Sequence, residues 1–424
     1  MFSISSVLAQ GSCIWDNKFV VLKLPVLWIK TKSMMQRRVA AFFAWNFAMI
    51  ASGRLPKTGF YGESLRFEAA DDDKIMGEFI GAFAFFKADG KARVQAHNFT
   101  AHNYGSICCC DGCLATNPCA SVLANPVLAA LLFTNGSPNA PWRRTYITHE
   151  CYMAHSKIST PWFLIPGFRK ELILHDWLHV GPLGLQRDYA GSICVDLLLR
   201  GELQSKYGGL VADHSADSLL NALWCDYREW SFRKGAERPR GNLTLKGLRE
   251  SARQYPELPS SFKGSVVQSF SMFLGIVCQE FADDDHGQLR ALCAWGMCDF
   301  LHVMGHAGLV MTVEQTDRLV HAGNTYVRCY CVLAERAATN KIWMWKVRPK
   351  CHSYEHMLSF ALTSRLNPQR LACWSDESFL GKLKVVAQHC ASTTMLKTSL
   401  LRFFIYVGLR WQRRRATGLW DLPT

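Results

Sequence analysis

The sequence predicts a mixed α/β protein, on three observations: short apolar runs that end in a carboxylate, a long central block with helical spacing, and a composition apolar enough for a packed core. Hydrophobic residues make up 49% of the 424 and charged residues only 19%, the reverse of the balance that keeps a chain disordered. The length leaves room for two or three structural units, since single cores stop growing at about 250 to 300 residues.

Taken in order, Phe19–Leu22 and Val26–Ile29 are β-rich runs around Pro25, and Met34–Ile50 carries continuous helical apolarity. A Gly/Pro-rich turn follows at residues 52–59. Acidic Asp71-Asp72-Asp73 opens a segment that ends in Gly81–Asp89, which reads as a buried strand with Asp89 at its carboxyl end. Glu171–Asp176 repeats that pattern. Side chains at such strand ends project into the crevice of an α/β sheet, where reactive groups collect. From Leu185 to about Trp345 the spacing is mostly helical, over 197–203, 218–230, 266–281 and 289–304, with a polar, Arg- and Pro-containing divider at 232–259. Ile342–Trp345 reads as a strand, and residues 352–364, 376–390 and 395–415 as helices. No internal repeat or low-complexity tract interrupts the chain.

Lys and Arg outnumber Asp and Glu by 48 to 34, a formal charge of +14. Such an excess points to a polyanionic partner, with a mildly basic enzyme as the plain alternative. The amino terminus carries no basic region ahead of an apolar run, so a reducing intracellular setting is expected for the 17 cysteines, as thiols and metal ligands rather than disulfides. The longest apolar stretches, Phe19–Ile29 and Val39–Ala51, are broken or fall short of the ~20 residues a membrane helix needs. No membrane partner is expected.

The densest chemical cluster is Cys108-Cys109-Cys110-Asp111-Gly112-Cys113. Cys110 and Cys113 have the spacing of a zinc knuckle, two thiolates from one tight turn. A second pair has to come from elsewhere, and His149 and Cys151 offer an imidazole and a thiolate not far along the chain. The alternative is a set of buried, inert thiols. Asp176 and His179 stand at i,i+3, close enough to share a metal or a hydrogen bond, although a structural pair is the commoner use of such neighbours. In the helix after Ser375, which reads as an N-cap, Asp376 and Glu377 fall in the first turn, where acids oppose the helix dipole. Lys346, Arg348, Lys350 and His352 beside Trp343 and Trp345, then Arg410, Arg413 and Arg414 with Trp411, interleave cations with aromatics in the manner of nucleic-acid contacts. A solvated helix face is the other reading of that pattern.

Together these motifs resemble the catalytic region of cut-and-paste DNA transposases of the CACTA type and their Plavaka/KDZ relatives. The likeness rests on Ser12–Pro25, on Phe85–Asp89 followed by Ser106–Cys113 with His149 downstream, on Asp176 and His179 as a D-x-x-H motif, on Arg348–His352 with Glu355 and His356, and on Asp376–Leu380. The resemblance implies a ribonuclease-H-like mixed sheet with flanking helices, its core formed by residues 1–195 and 341–424 around a helical insertion at 196–340. It implies a two-metal site for Mg²⁺ with Asp89 and Glu377 as two of three carboxylates, Asp176 and His179 ordering a DNA strand, a structural Zn²⁺ on the Cys110/Cys113 knuckle, and a nuclear, DNA-bound protein able to form homo-oligomers. The family's first aspartate has no counterpart, since Asp16 falls after the expected strand, and no separate amino-terminal DNA-binding module is present. A transposase-derived, catalytically impaired DNA-binding protein is therefore expected, with a noncatalytic zinc-stabilised scaffold or interaction module as the alternative. A metal hydrolase on His175, Asp176 and His179 ranks below both, because no spacing supplies further ligands.

Overall fold

Helices, not strands, organise the chain. The computed structural model describes residues 2–4, 19–22, 33–65, 84–87, 93–94, 97, 105–137, 139–155, 160–237, 239–391 and 394–416. The helices of seven or more residues are α1 (Ser33–Ser52), α2 (His149–His155), α3 (Gln186–Leu199), α4 (Ala216–Arg233), α5 (Gly264–Glu280), α6 (Asp285–His306), α7 (Val313–Thr339), α8 (Pro349–Ser364), α9 (Trp374–Gln388) and α10 (Met395–Ala416). Among the described residues four short strands accompany them: β1 (Phe2–Ile4) pairs antiparallel with β2 (Phe19–Leu22), and β3 (Phe86–Lys87) pairs with β4 (Ile173–Leu174).

The chain divides into two compact units. One comprises Met1–Phe86, His155–Leu172 and Cys373–Thr424, the other Lys87–Ala154 and Ile173–Ala372. In the first, Phe43 of α1 stacks on Trp162 with ring centroids 5.5 Å apart. Phe379 of α9 meets Phe403 of α10 edge-on at 5.7 Å.

The second unit is built around α3, which is buried on nearly every side from Gln186 to Leu197, as expected of a helix with little amphipathic contrast. α6 and α7 pack along their length because Gly296 removes the side chain at their closest approach, where a Cβ would meet the Tyr326 amide nitrogen at 2.7 Å. α7 begins with a capping box between Thr312 and Gln315, two orphan donors satisfied reciprocally. Gly323 does for α7 and α8 what Gly296 does for α6 and α7: a Cβ there would strike Leu358 Cδ2 at 2.5 Å and the Tyr354 hydroxyl at 2.8 Å. Fully buried Arg290 of α6 holds Asp196 of α3 at 2.7 Å and Glu202 at 2.6 Å. Tyr354, Met357, Leu358 and Ala361 bury one face of α8, which leaves His352 and His356 on a different one.

This architecture overturns the expected ribonuclease-H-like fold: among the described residues there is no mixed sheet, only the two two-stranded pairs. Short apolar runs do not distinguish a strand from a buried irregular segment, and that ambiguity accounts for the difference. Of Gly81–Asp89 only Phe86–Lys87 is a described strand, and of Glu171–Asp176 only Ile173–Leu174. Ile342–Trp345 is irregular; Trp345, at φ 58°, adopts a left-handed conformation that no strand accommodates, and its amide donates to Ser192 Oγ at 3.0 Å. Val26–Ile29 lies outside the described residues. The helical predictions fare better at 34–50, 218–230, 266–281, 289–304, 352–364, 376–390 and 395–415, each lying within or close to a helix. The helix predicted over 197–203 is instead two, broken at Gly201, whose φ of 73° suits a residue without a Cβ. Cys373, not Ser375, occupies the N-cap position of α9.

Candidate metal centre

The Cys-rich segment folds as a knuckle closed by its own backbone. The Cys109 amide donates to the Ala115 carbonyl at 3.0 Å, and Cys108 and Thr116 form an antiparallel bridge across the turn. At the tip the Gly112 amide donates to Cys110 Sγ at 3.1 Å. Gly112 lets the turn close against α8, since a Cβ there would stand only 3.1 Å from the His356 ring. Facing the knuckle, α8 presents His352 and His356, one helical turn apart and thus on one face.

Those four side chains converge. Cys113 Sγ lies 3.1 Å from His352 Nε2, Cys110 Sγ 3.2 Å from His356 Nε2, and the two Nε2 atoms 3.0 Å from each other. All four donor atoms fall within 4.8 Å of one another, and Cys110, Cys113 and His352 are buried. A tetrahedral zinc with bonds of about 2.0–2.3 Å sets donor separations of roughly 3.3–3.8 Å, and these three contacts are slightly shorter than that. Two thiolates and two neutral imidazoles suit Zn²⁺ in charge and softness. The cluster can therefore hold a metal such as zinc.

The electrostatics set the two thiols apart. Burial pushes the Cys110 thiol up, but hydrogen bonding with Cys113, the His356 charge and hydrogen bonds to both imidazoles outweigh it and hold Cys110 well below the ordinary thiol range. Cys113 moves the other way, first through its hydrogen bond to Cys110 and then through burial. Without metal, Cys110 is the thiolate and Cys113 keeps its proton, which a binding dication would displace. Burial lowers His352, which keeps it in the neutral form that ligates. Neighbouring Cys109 is different: burial pushes it up to about 12, and its thiol donates to the Ala115 carbonyl at 3.5 Å. It remains an inert thiol.

A second layer surrounds the donors. His352 Nδ1 is buried with no hydrogen-bond partner, and the nearest carboxylate oxygen, Glu355 Oε2, is 3.9 Å away. Glu355 is itself buried and paired to Arg143 at 2.7 Å, and Arg143 lies over the Trp142 ring at 4.3 Å. Trp142, fully buried, meets His352 edge-on at 4.4 Å, and His175 stacks on His356 at 5.5 Å. Burial, followed by the Arg93 charge, holds His175 well below the ordinary histidine range.

The other predicted site residues fall elsewhere. His149 is half-buried and Cys151 exposed on α2, and neither belongs to the four-donor group; where the sequence offered them as the second pair beside Cys110 and Cys113, the structure brings His352 and His356 there instead. Asp176, 3% exposed, caps the turn Trp177–Val180 by accepting from the Leu178 and His179 amides at 3.3 Å, and its carboxylate pairs with His179 Nδ1. The D-x-x-H motif here is a helix cap. Asp89 lies outside the described residues, and Glu377 is exposed in the first turn of α9. The cations around the start of α8 face inward: Arg348 bonds Asp188 and Glu257, Lys350 Nζ donates to the Leu183 carbonyl at 3.1 Å, and Lys346 lies over the Tyr255 ring at 5.9 Å. His352 is in the metal set, not on a nucleic-acid surface. Arg413 is exposed on α10, the helix that also carries Arg410 and Arg414.

The two histidines had a signal in the sequence. Cys-x2-Cys and His-x3-His together have Cys2His2 spacing, but 239 and 246 positions separate the touching pairs, far beyond the interval at which that pattern is ordinarily read. No family model, no curated protein and no solved structure matches this chain. Fold and site thus define a helical protein with a candidate Cys2His2 metal centre buried in its larger unit.

Proposed function

We propose that the protein is a noncatalytic scaffold whose larger unit is stabilised by a structural zinc ion on Cys110, Cys113, His352 and His356. The observation that carries this reading is the closed donor set. Four protein ligands fill a tetrahedral ion, whereas a catalytic zinc keeps one position for water or substrate. The ion would clamp an otherwise loop-rich segment onto α8. The strand-cleaving reading is not carried forward, since its carboxylates depend on the strand ends of a mixed sheet that the described residues do not contain.

Metal analysis of protein purified under reducing conditions is expected to find one zinc per chain. Cys113→Ser and His352→Ala abolish it, and His149→Ala and Cys151→Ser leave it unchanged. Protein that carries no zinc and takes none up, or that cleaves DNA in a Mg²⁺-dependent manner, would overturn the proposal.

A further inference from the structure

Among its described side chains, α10 is apolar on two sides, one buried and one exposed. Phe403 and Val407 are buried, with Phe403 against Phe379 of α9. On the opposite side Leu401, Ile405 and Leu409 succeed one another at one-turn spacing, with Phe404 beside them, at 55, 51, 53 and 57% exposure. A contiguous exposed apolar row marks an interaction surface.

Charge identifies what covers it. α10 carries Lys397, Arg402, Arg410, Arg413, Arg414 and Arg415 and no acid. A second copy docked on this face would bring like charges together. Nucleic acid would neutralise the cations but leave Leu401, Phe404, Ile405 and Leu409 in water. The row also projects from the outside of a single helix, where a planar surface reaches it more readily than an inserting segment. An anionic bilayer surface meets both demands: the apolar row sinks to the acyl boundary while guanidinium groups meet lipid phosphate and carboxylate. No described helix is long and apolar enough to cross a membrane, so this is attachment in the plane of the interface.

We propose that α10 is an interfacial helix that docks the chain on anionic lipid. The proposal does not depend on the zinc reading. Its test is co-sedimentation of the zinc-loaded full chain with phosphatidylcholine vesicles, with and without phosphatidylserine. Binding is expected only with phosphatidylserine and to weaken as salt rises. The double variant Phe404→Ser/Ile405→Ser is expected to lower partitioning about tenfold or more, and Arg413→Gln about fivefold. Leu401→Ser provides an independent change on the same row, and circular dichroism checks that each variant folds. No binding to phosphatidylserine vesicles overturns the proposal. So does binding that Phe404→Ser/Ile405→Ser leaves intact, or a wild-type self-association in lipid-free buffer that this variant abolishes, which assigns the row to a second copy. Binding to duplex DNA alone, unaffected by the apolar variants, assigns the cations to nucleic acid and likewise overturns it.

Discussion

Glu355 sits one turn along α8 from His352, buried, with its carboxylate turned toward the one imidazole nitrogen that lacks a partner. Burial pushes Glu355 up to about 7, with Arg143 pulling it back. A ligating histidine that donates its other N–H to a carboxylate is fixed in tautomer and orientation, and loss of that partner typically costs 10–100-fold in metal affinity. Glu355 Oε2, 3.9 Å from His352 Nδ1, stands just outside hydrogen-bond reach and would become such a partner if loading draws it closer. Glu355→Gln is therefore expected to weaken zinc binding by about 10-fold in competition with a chromophoric chelator, while the zinc-saturated far-UV spectrum stays unchanged. Equal affinity in the two proteins would show that Glu355 serves only its ion pair with Arg143. At this scale the sequence was partly legible. Cys110 and Cys113 could be read from their spacing, but His149 and Cys151 were chosen for nearness along the chain, and no local rule brings residue 352 beside residue 113.

Elements are joined in the larger unit by buried charge as well as by apolar packing. Asp188 of α3, with no exposed surface, holds Arg348 at the N-cap of α8, and Glu257 shares that guanidinium at 3.2 Å. Burial raises Asp188 from 3.8 to about 7, with Arg348 opposing the shift. Because the folded state holds the proton more tightly than the unfolded chain, the stability contributed is fully present below about 3.8 and is lost as pH rises through about 7. Asp188→Asn removes this titration. The stability difference between wild type and variant, measured by urea denaturation at several pH values, should shift against wild type by up to roughly 3 kcal/mol between pH ~5 and ~7. A difference that does not move with pH would mean that Arg348 keeps Asp188 ionised throughout. The helices themselves were legible, by 3.6-residue periodicity over α4 and α5 and, where that contrast is weak, by apolar runs too long for a strand. The strands were not, since runs as short as Ile342–Trp345 carry no periodicity and the backbone at Trp345 follows its contact with Ser192.

For the whole molecule, the candidate centre ties Cys110 and Cys113, in a segment of short helical turns and loops, to a helix more than two hundred positions away. A ligand that binds only the folded form adds about 4 kcal/mol at a thousandfold excess over its dissociation constant. For a unit of this size that corresponds to roughly 10 °C in the thermal midpoint. Chelation of the zinc-loaded protein is expected to lower the midpoint by about that amount, followed by differential scanning calorimetry, with recovery on adding back zinc. An unchanged midpoint would deny the centre a stabilising role.

The sequence by itself determined that the chain is basic, thiol-rich and able to build a core, that most of its later half is helical, and that one Cys-x2-Cys turn is suited to a metal. These properties are local or additive: composition sums over residues, and helical periodicity and knuckle spacing are complete within a few turns. Only the tertiary structure decided that the strand-like runs do not assemble into a mixed sheet among the described residues and that His352 and His356 complete the donor set. Each of those depends on which distant surfaces pack together, and packing of α8 against α7, permitted by the missing side chain of Gly323, is a property of the folded ensemble that no stretch of sequence contains on its own.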